Sequence, residues 1–146
     1  MHSLFTIKYY TKEKYGRVYL YNTLPVYETI SSKVKSAIDT NNNKDVLKVN
    51  TAAIINRLKE MDFNNSDLIL ATGNPIPIYG EKVIDELYSV LKSKRIPIKF
   101  FTKDGKTIEA NDFQSNGKRY TKHLRVISNE CLEREMIQGN IDDLIK

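Results

Sequence analysis

The 146-residue sequence predicts an α/β fold, a single domain with a mixed, partly parallel sheet flanked by three or four helices. Three observations carry that expectation. Leu68-Ile69-Leu70-Ala71 is an unbroken apolar run, the pattern of a strand buried on both faces, as in helix-covered parallel sheets. A helix-spaced stripe of Val83, Ile84, Leu87, Val90 and Leu91 follows it and leads into Ile96-Pro97-Ile98-Lys99-Phe100-Phe101, which makes a strand, helix, strand crossover. Asp104-Gly105, set between Phe100-Phe101-Thr102 and Thr107-Ile108-Glu109, is a two-residue hairpin signal and adds an antiparallel strand. The chain length suits one compact unit, with residues 1–112 as the α/β core and 113–146 as a basic segment and helical tail packed on it or extending from it.

Taken in order, Phe5-Thr6-Ile7-Lys8-Tyr9 and Arg17-Val18-Tyr19-Leu20-Tyr21 alternate apolar and polar positions and read as two strands or a hairpin. From Pro25 to Asp39, the positions Tyr27, Ile30, Val34, Ala37 and Ile38 recur at spacings of three and four and predict a first helix. Thr40-Asn41-Asn42-Asn43-Lys44 reads as a surface loop and Val46-Leu47-Lys48-Val49 as a short strand. Asn50 or Thr51 then caps a helix carrying Ile54, Ile55, Leu58 and Met61 on one face. A third helix is expected over Gly80–Lys94. The tail holding Leu132, Met136, Ile141 and Leu144 is compatible with helix, interrupted at Gly139, and the Leu68–Ala71 strand is expected at the centre of the sheet.

Composition narrows the function classes. A single cysteine, Cys131, excludes an internal disulfide framework and a clustered-thiolate metal site, and it favours an intracellular, cytoplasmic protein. No apolar run approaches the roughly 18 residues of a membrane helix, and no export signal is legible, so no membrane partner is expected. The net charge of +5 is unevenly spread. Lys92, Lys94, Arg95, Lys99, Lys103 and Lys106 crowd one stretch, Lys118, Arg119, Lys122 and Arg125 another, and the last twenty residues are acidic. This is either a basic binding face or an ordinary solvated surface.

One turn has the look of a ligand site. Thr72-Gly73-Asn74-Pro75-Ile76-Pro77-Ile78-Tyr79 links the buried run to the third helix, at the sheet edge where ligands bind in open parallel sheets. Gly73 permits backbone that other residues avoid, free N–H groups at the helix start would favour an anion, and Thr72 and Asn74 add side-chain donors. Lys99 or Lys103 could add charge. The segment is neither a P-loop nor a dinucleotide fingerprint, and the alternative is an irregular connection shaped by Gly73 and the prolines.

Four segments resemble, in order and spacing, a group of small uncharacterised proteins encoded by phages and mobile elements. They are Lys14-Tyr15-Gly16-Arg17-Val18, Val49-Asn50-Thr51, Asp67-Leu68-Ile69-Leu70-Ala71-Thr72-Gly73-Asn74-Pro75 and Phe100-Phe101-Thr102-Lys103-Asp104-Gly105-Lys106. The likeness runs from about Lys14 to Ala110, while the stretch from about Leu24 to Lys44 and the tail after Asp112 depart from it. It implies a viral or mobile-element origin and a small α/β fold, and no activity.

Two further patterns bear on partners. Lys118-Arg119-Tyr120-Thr121-Lys122-His123-Leu124-Arg125 interleaves cations with an aromatic residue, so that Lys118, Arg119, Tyr120, Lys122 and Arg125 could meet phosphates and bases, with a solvated helix start as the other reading. Tyr19 and Tyr21 would share a strand face with Arg17, either stacking bases or packing under a helix. His2 and His123 belong to no metal spacing, Cys131 reads as a small apolar residue, and Glu133, Glu135, Asp142 and Asp143 read as surface acids. The expectation is a phage or mobile-element accessory protein, leaning away from catalysis, with no cofactor and no metal. It would bind a small anionic, nucleotide-like ligand at Thr72, Gly73, Asn74 and Pro75, to counter host signalling or defence. The alternative is a module that binds nucleic acid or a host protein through the basic segments, with self-association left open.

Overall fold

A computed structural model of the chain describes residues 15–25, 31–40, 43–102, 114–121 and 135–146. In chain order these form helices α1 (Ser31–Thr40), α2 (Asn43–Glu60) and α3 (Tyr79–Lys94), strands β1 (Ile98–Thr102) and β2 (Glu135–Gly139), and a 3-10 turn at Ile141–Asp143.

The helices follow their apolar stripes. In α2 the buried positions Leu47, Thr51, Ile54 and Leu58 recur at helical spacing, and the Thr51 hydroxyl, 4% exposed, is satisfied by the Leu47 carbonyl at 2.9 Å. In α3, Gly80, Val83, Ile84, Leu87, Tyr88 and Leu91 form the buried face. Asp45 in the first turn of α2, with Arg57 and Lys59 in its last, opposes charge of the right sign to each end of the helix dipole. Both faces meet at a core completed by Ile96, Ile98 and Phe100 around β1, by Leu70, and by Tyr120, Ile141 and Leu144 from the later part of the chain.

The expected mixed, partly parallel sheet is not what forms. Among the described residues there are three α-helices and one two-stranded antiparallel sheet, in which Ile98 pairs with Gly139, Phe100 with Ile137 and Thr102 with Glu135. The Leu68–Ala71 run reaches β1 through a single parallel bridge, Ile69 to Lys99, made by Leu70 N to Lys99 O and Lys99 N to Leu68 O, each 2.8 Å. A ladder cannot lengthen from there, because Gly73 at φ 63° bends the chain away and Pro75 and Pro77 have no N–H to donate. β1, not this run, lies between two neighbours, and of the run only Leu70 is buried, as part of the common core.

Other expectations are corrected in the same way. Val46–Val49 is helical, inside α2, because Leu47 continues the apolar stripe of Ile54 and Leu58; the expected loop before it has already become helix by Asn43. The described part of the tail, from Glu135, is strand and 3-10 turn: Glu135–Gly139 pairs along β1, and backbone pairing outweighs the weak helical spacing. Arg17–Tyr21 belongs to no strand. The first helix is described from Ser31; its expected beginning, the Phe5–Tyr9 strand, and the Asp104-Gly105 hairpin lie outside the described residues. No described helix is long and apolar enough to cross a membrane.

Candidate functional site

The turn after Ala71 is held by contacts with residues far along the chain. Thr72 N donates to Thr121 Oγ1 at 3.1 Å, the two threonine hydroxyls lie 3.3 Å apart, and Gly73 N donates to the Thr121 carbonyl at 3.0 Å. Thr121 is fully buried. The segment that carries it is fixed on its other edge, where Arg119 N donates to Leu144 O and Lys146 N to Gly117 O, both at 2.8 Å, around an antiparallel bridge between Lys118 and Ile145. Beneath, the Tyr88 hydroxyl of α3 donates to the Arg119 carbonyl at 3.1 Å, and burial pushes its phenol well above the usual tyrosine range. The rings of Tyr88 and Tyr120 sit 6.4 Å apart at a tilt of 39°.

This stitching brings the turn that the sequence singles out together with a distant stretch on an open cleft of about 180 Å³, to which, among the described residues, the expected basic segment contributes only Tyr120. Asn74 and Pro75 come from the turn, Glu81 from the first turn of α3, and Gln114, Ser115, Asn116 and Tyr120 from the later segment. Asn116 Nδ2 donates to the Tyr120 hydroxyl at 2.8 Å, and its Oδ1 accepts from Lys118 N at 3.1 Å, which fixes that wall.

The start of α3 departs from the anion-binding arrangement. Its leading N–H groups are engaged within the chain: Ile78 N on Glu81 Oε2 at 3.4 Å, Tyr79 N on Pro77 O at 3.0 Å, and Gly80 N on Ile76 O at 2.9 Å. The Pro77–Ile78–Tyr79 link is a γ-turn whose centre, Ile78, sits at φ 72°, ψ −68°, a conformation that costs a β-branched residue about 1–3 kcal/mol. Ile78 is 60% exposed, so burial of its own side chain does little to offset that cost. The Glu81 carboxylate stands where an external anion would meet the helix.

The basic residues are distributed differently from the sequence expectation. Lys118 pairs with Asp85, and Lys99 donates to Asp67 Oδ2 at 2.7 Å, an oxygen that also accepts from the Tyr15 hydroxyl at 2.7 Å. Arg119 is tied through its backbone on both sides, and Tyr120, 2% exposed, belongs to the core. Lys118–Thr121 is extended, not the start of a helix, because its backbone bonds go to neighbouring segments. Lys103, Lys122 and Arg125 lie outside the described residues, as do His2, His123 and Cys131. Tyr19 and Tyr21 are 59% and 48% exposed beside α2 and not packed under a helix, and the Arg57 guanidinium covers the Tyr19 ring at 5.2 Å.

Sequence reasoning passed over Glu81, Ser115, Asn116 and Thr121. A glutamate in the first turn after Pro77 is a helix-start signal, and Ser115-Asn116-Gly117 is a turn signature, but that they face one another follows from contacts 49 positions apart. Among the described residues no group of three or more His, Cys, Asp or Glu side chains could hold a metal ion. The chemistry that the described lining residues offer is hydrogen bonding by amides and hydroxyls beside one carboxylate. No protein-family model, no curated protein and no solved structure matches the chain.

Proposed function

We propose that the protein is a ligand-binding accessory protein, of phage or mobile-element origin as the resemblance implies, that holds a small nucleotide-like molecule in the cleft between the Asn74-Pro75 turn and the Gln114–Tyr120 segment. One observation carries this reading: the turn marked in the sequence, through Asn74 and Pro75, meets the distant Gln114–Asn116 stretch and Tyr120 on a polar cleft, beside the contact of Thr72 with Thr121. Binding rather than catalysis is favoured because the described lining residues hold one carboxylate and neither a thiol nor an imidazole to work with it. The basic-segment alternative draws less support, since Lys118 is engaged by Asp85 and Tyr120 is buried.

Thermal-shift measurement with a panel of nucleosides, nucleotides and cyclic nucleotides tests the proposal. A binder should raise the melting temperature, and Asn74→Ala, an exposed change, should abolish that rise while leaving the unliganded protein's own melting unchanged. A panel without any shift, or a shift that survives Asn74→Ala, would count against the cleft.

A further inference from the structure

Resting on that ligand-binding reading, we infer that the part of the ligand enclosed by the cleft is an uncharged base bearing an exocyclic amino group, guanine above all, and that any phosphate stays in solvent. Charge points this way first. Glu81 is the one charged side chain among the described lining residues, and the nearby Lys118 ammonium is committed to Asp85. A phosphate placed there would meet a carboxylate with no cation beside it among the described lining residues. The backbone agrees, because the N–H groups of Gly73, Ile78, Tyr79 and Gly80 are all engaged within the chain. Size agrees as well: about 180 Å³ is below the roughly 300–1,000 Å³ of pockets that enclose a whole drug-sized ligand, so only a fragment is enclosed.

The chemistry then selects the fragment. A carboxylate accepts hydrogen bonds at both oxygens, and guanine offers two N–H donors side by side, at its ring N1 and its exocyclic amino group. Uracil and thymine instead flank their ring N–H with two carbonyl oxygens, which would face Glu81. Asn74 and Ser115, whose side chains make no hydrogen bond among the described residues, supply a donor-acceptor pair for the rest of the base edge.

Titration calorimetry of the full chain with guanosine, GMP, inosine and inorganic phosphate decides the matter. Inosine differs from guanosine only by the missing amino group. Guanosine and GMP should bind within about threefold of each other and with little dependence on salt, inosine about tenfold more weakly, and phosphate not at all. Glu81→Gln keeps an acceptor for Ile78 N, so it should melt like the parent while losing about tenfold in guanosine affinity. Binding of GMP without guanosine, competition by phosphate, or equal affinity for inosine overturns the inference and leaves the cleft reading standing. Failure of every nucleoside and nucleotide to bind overturns both. Should Glu81→Gln fail to fold, the guanosine and inosine comparison on the parent chain still decides.

Discussion

Arg95 stands at φ 51°, ψ 41°, the left-handed region that glycine enters without steric cost. It is there because α3 ends by directing Ile96 N to Leu91 O at 3.0 Å and Arg95 N to Lys92 O at 3.2 Å, a closure that requires one left-handed residue. Both Ile96 and Leu91 belong to the core, so the closure also brings the chain into β1 at the right angle. Relief of the Cβ clash should exceed the extra flexibility of glycine in the unfolded chain, so Arg95→Gly is expected to stabilise the protein by about 0.5–1 kcal/mol. Thermal denaturation checks this, and a fall in melting temperature would show that the Arg95 side chain contributes more than the strain costs. Gly139 has the opposite constraint. A Cβ there would lie 2.7 Å from Cε1 of the fully buried Phe100 and 3.1 Å from Asp143 Oδ2. Gly139→Ala is expected to cost about 1–3 kcal/mol in urea denaturation by forcing the Phe100 ring to shift in the core.

At the scale of elements, α1 is joined to the cleft-bearing end of α3 by a polar contact. Tyr79, the first residue of α3, donates its hydroxyl to Asp39 Oδ1 at 2.5 Å, while Lys35 donates to Asp39 Oδ2 at 3.0 Å. The Tyr79 hydroxyl first, and the Lys35 ammonium after it, hold the Asp39 carboxyl below the usual carboxylate range. A carboxyl depressed on folding lends stability above its unfolded pKa of about 4, and that contribution fades as pH falls through the lower folded value. Acid should therefore loosen α1 from Tyr79 at a pH below the ordinary aspartate titration. A carboxyl NMR titration of Asp39 should give a pKa below that of a free aspartate, moving back toward it in Tyr79→Phe. An unchanged value in that variant would exclude the hydroxyl as the cause. Salt should weaken the Lys35 contribution more than the Tyr79 one, since the former is an exposed ion pair.

For the molecule as a whole, the helices were legible where apolar stripes repeat: Val83, Ile84, Leu87 and Leu91 name the buried face of α3, and Ile54 and Leu58 that of α2. Strand assignment was poorer because pairing depends on partners that local pattern does not name. Leu68–Ala71 is apolar enough for a strand yet stops at Gly73, whereas Glu135–Gly139, with only Met136 and Ile137 apolar, pairs along all of β1. The site was half legible. Gly73 and the prolines marked the turn, but Glu81 and the Ser115-Asn116 wall came to it through tertiary contacts. Those contacts also bear on the order of folding. Each bond that closes the cleft spans a long stretch of chain, Gly73 to Thr121 and Arg119 to Leu144, and loop closure of that kind comes late because its entropic cost precedes its reward. The cleft should thus be assembled after α2 and α3 have collapsed on each other, and it should open as one unit without unfolding them. Hydrogen exchange should find the Gly73 and Arg119 amides opening at one common rate, faster than Leu87 or Leu91 within α3. Separate rates for the two would show that the segment from residue 117 to 121 is not a single strap, and that the binding surface can be lost one edge at a time.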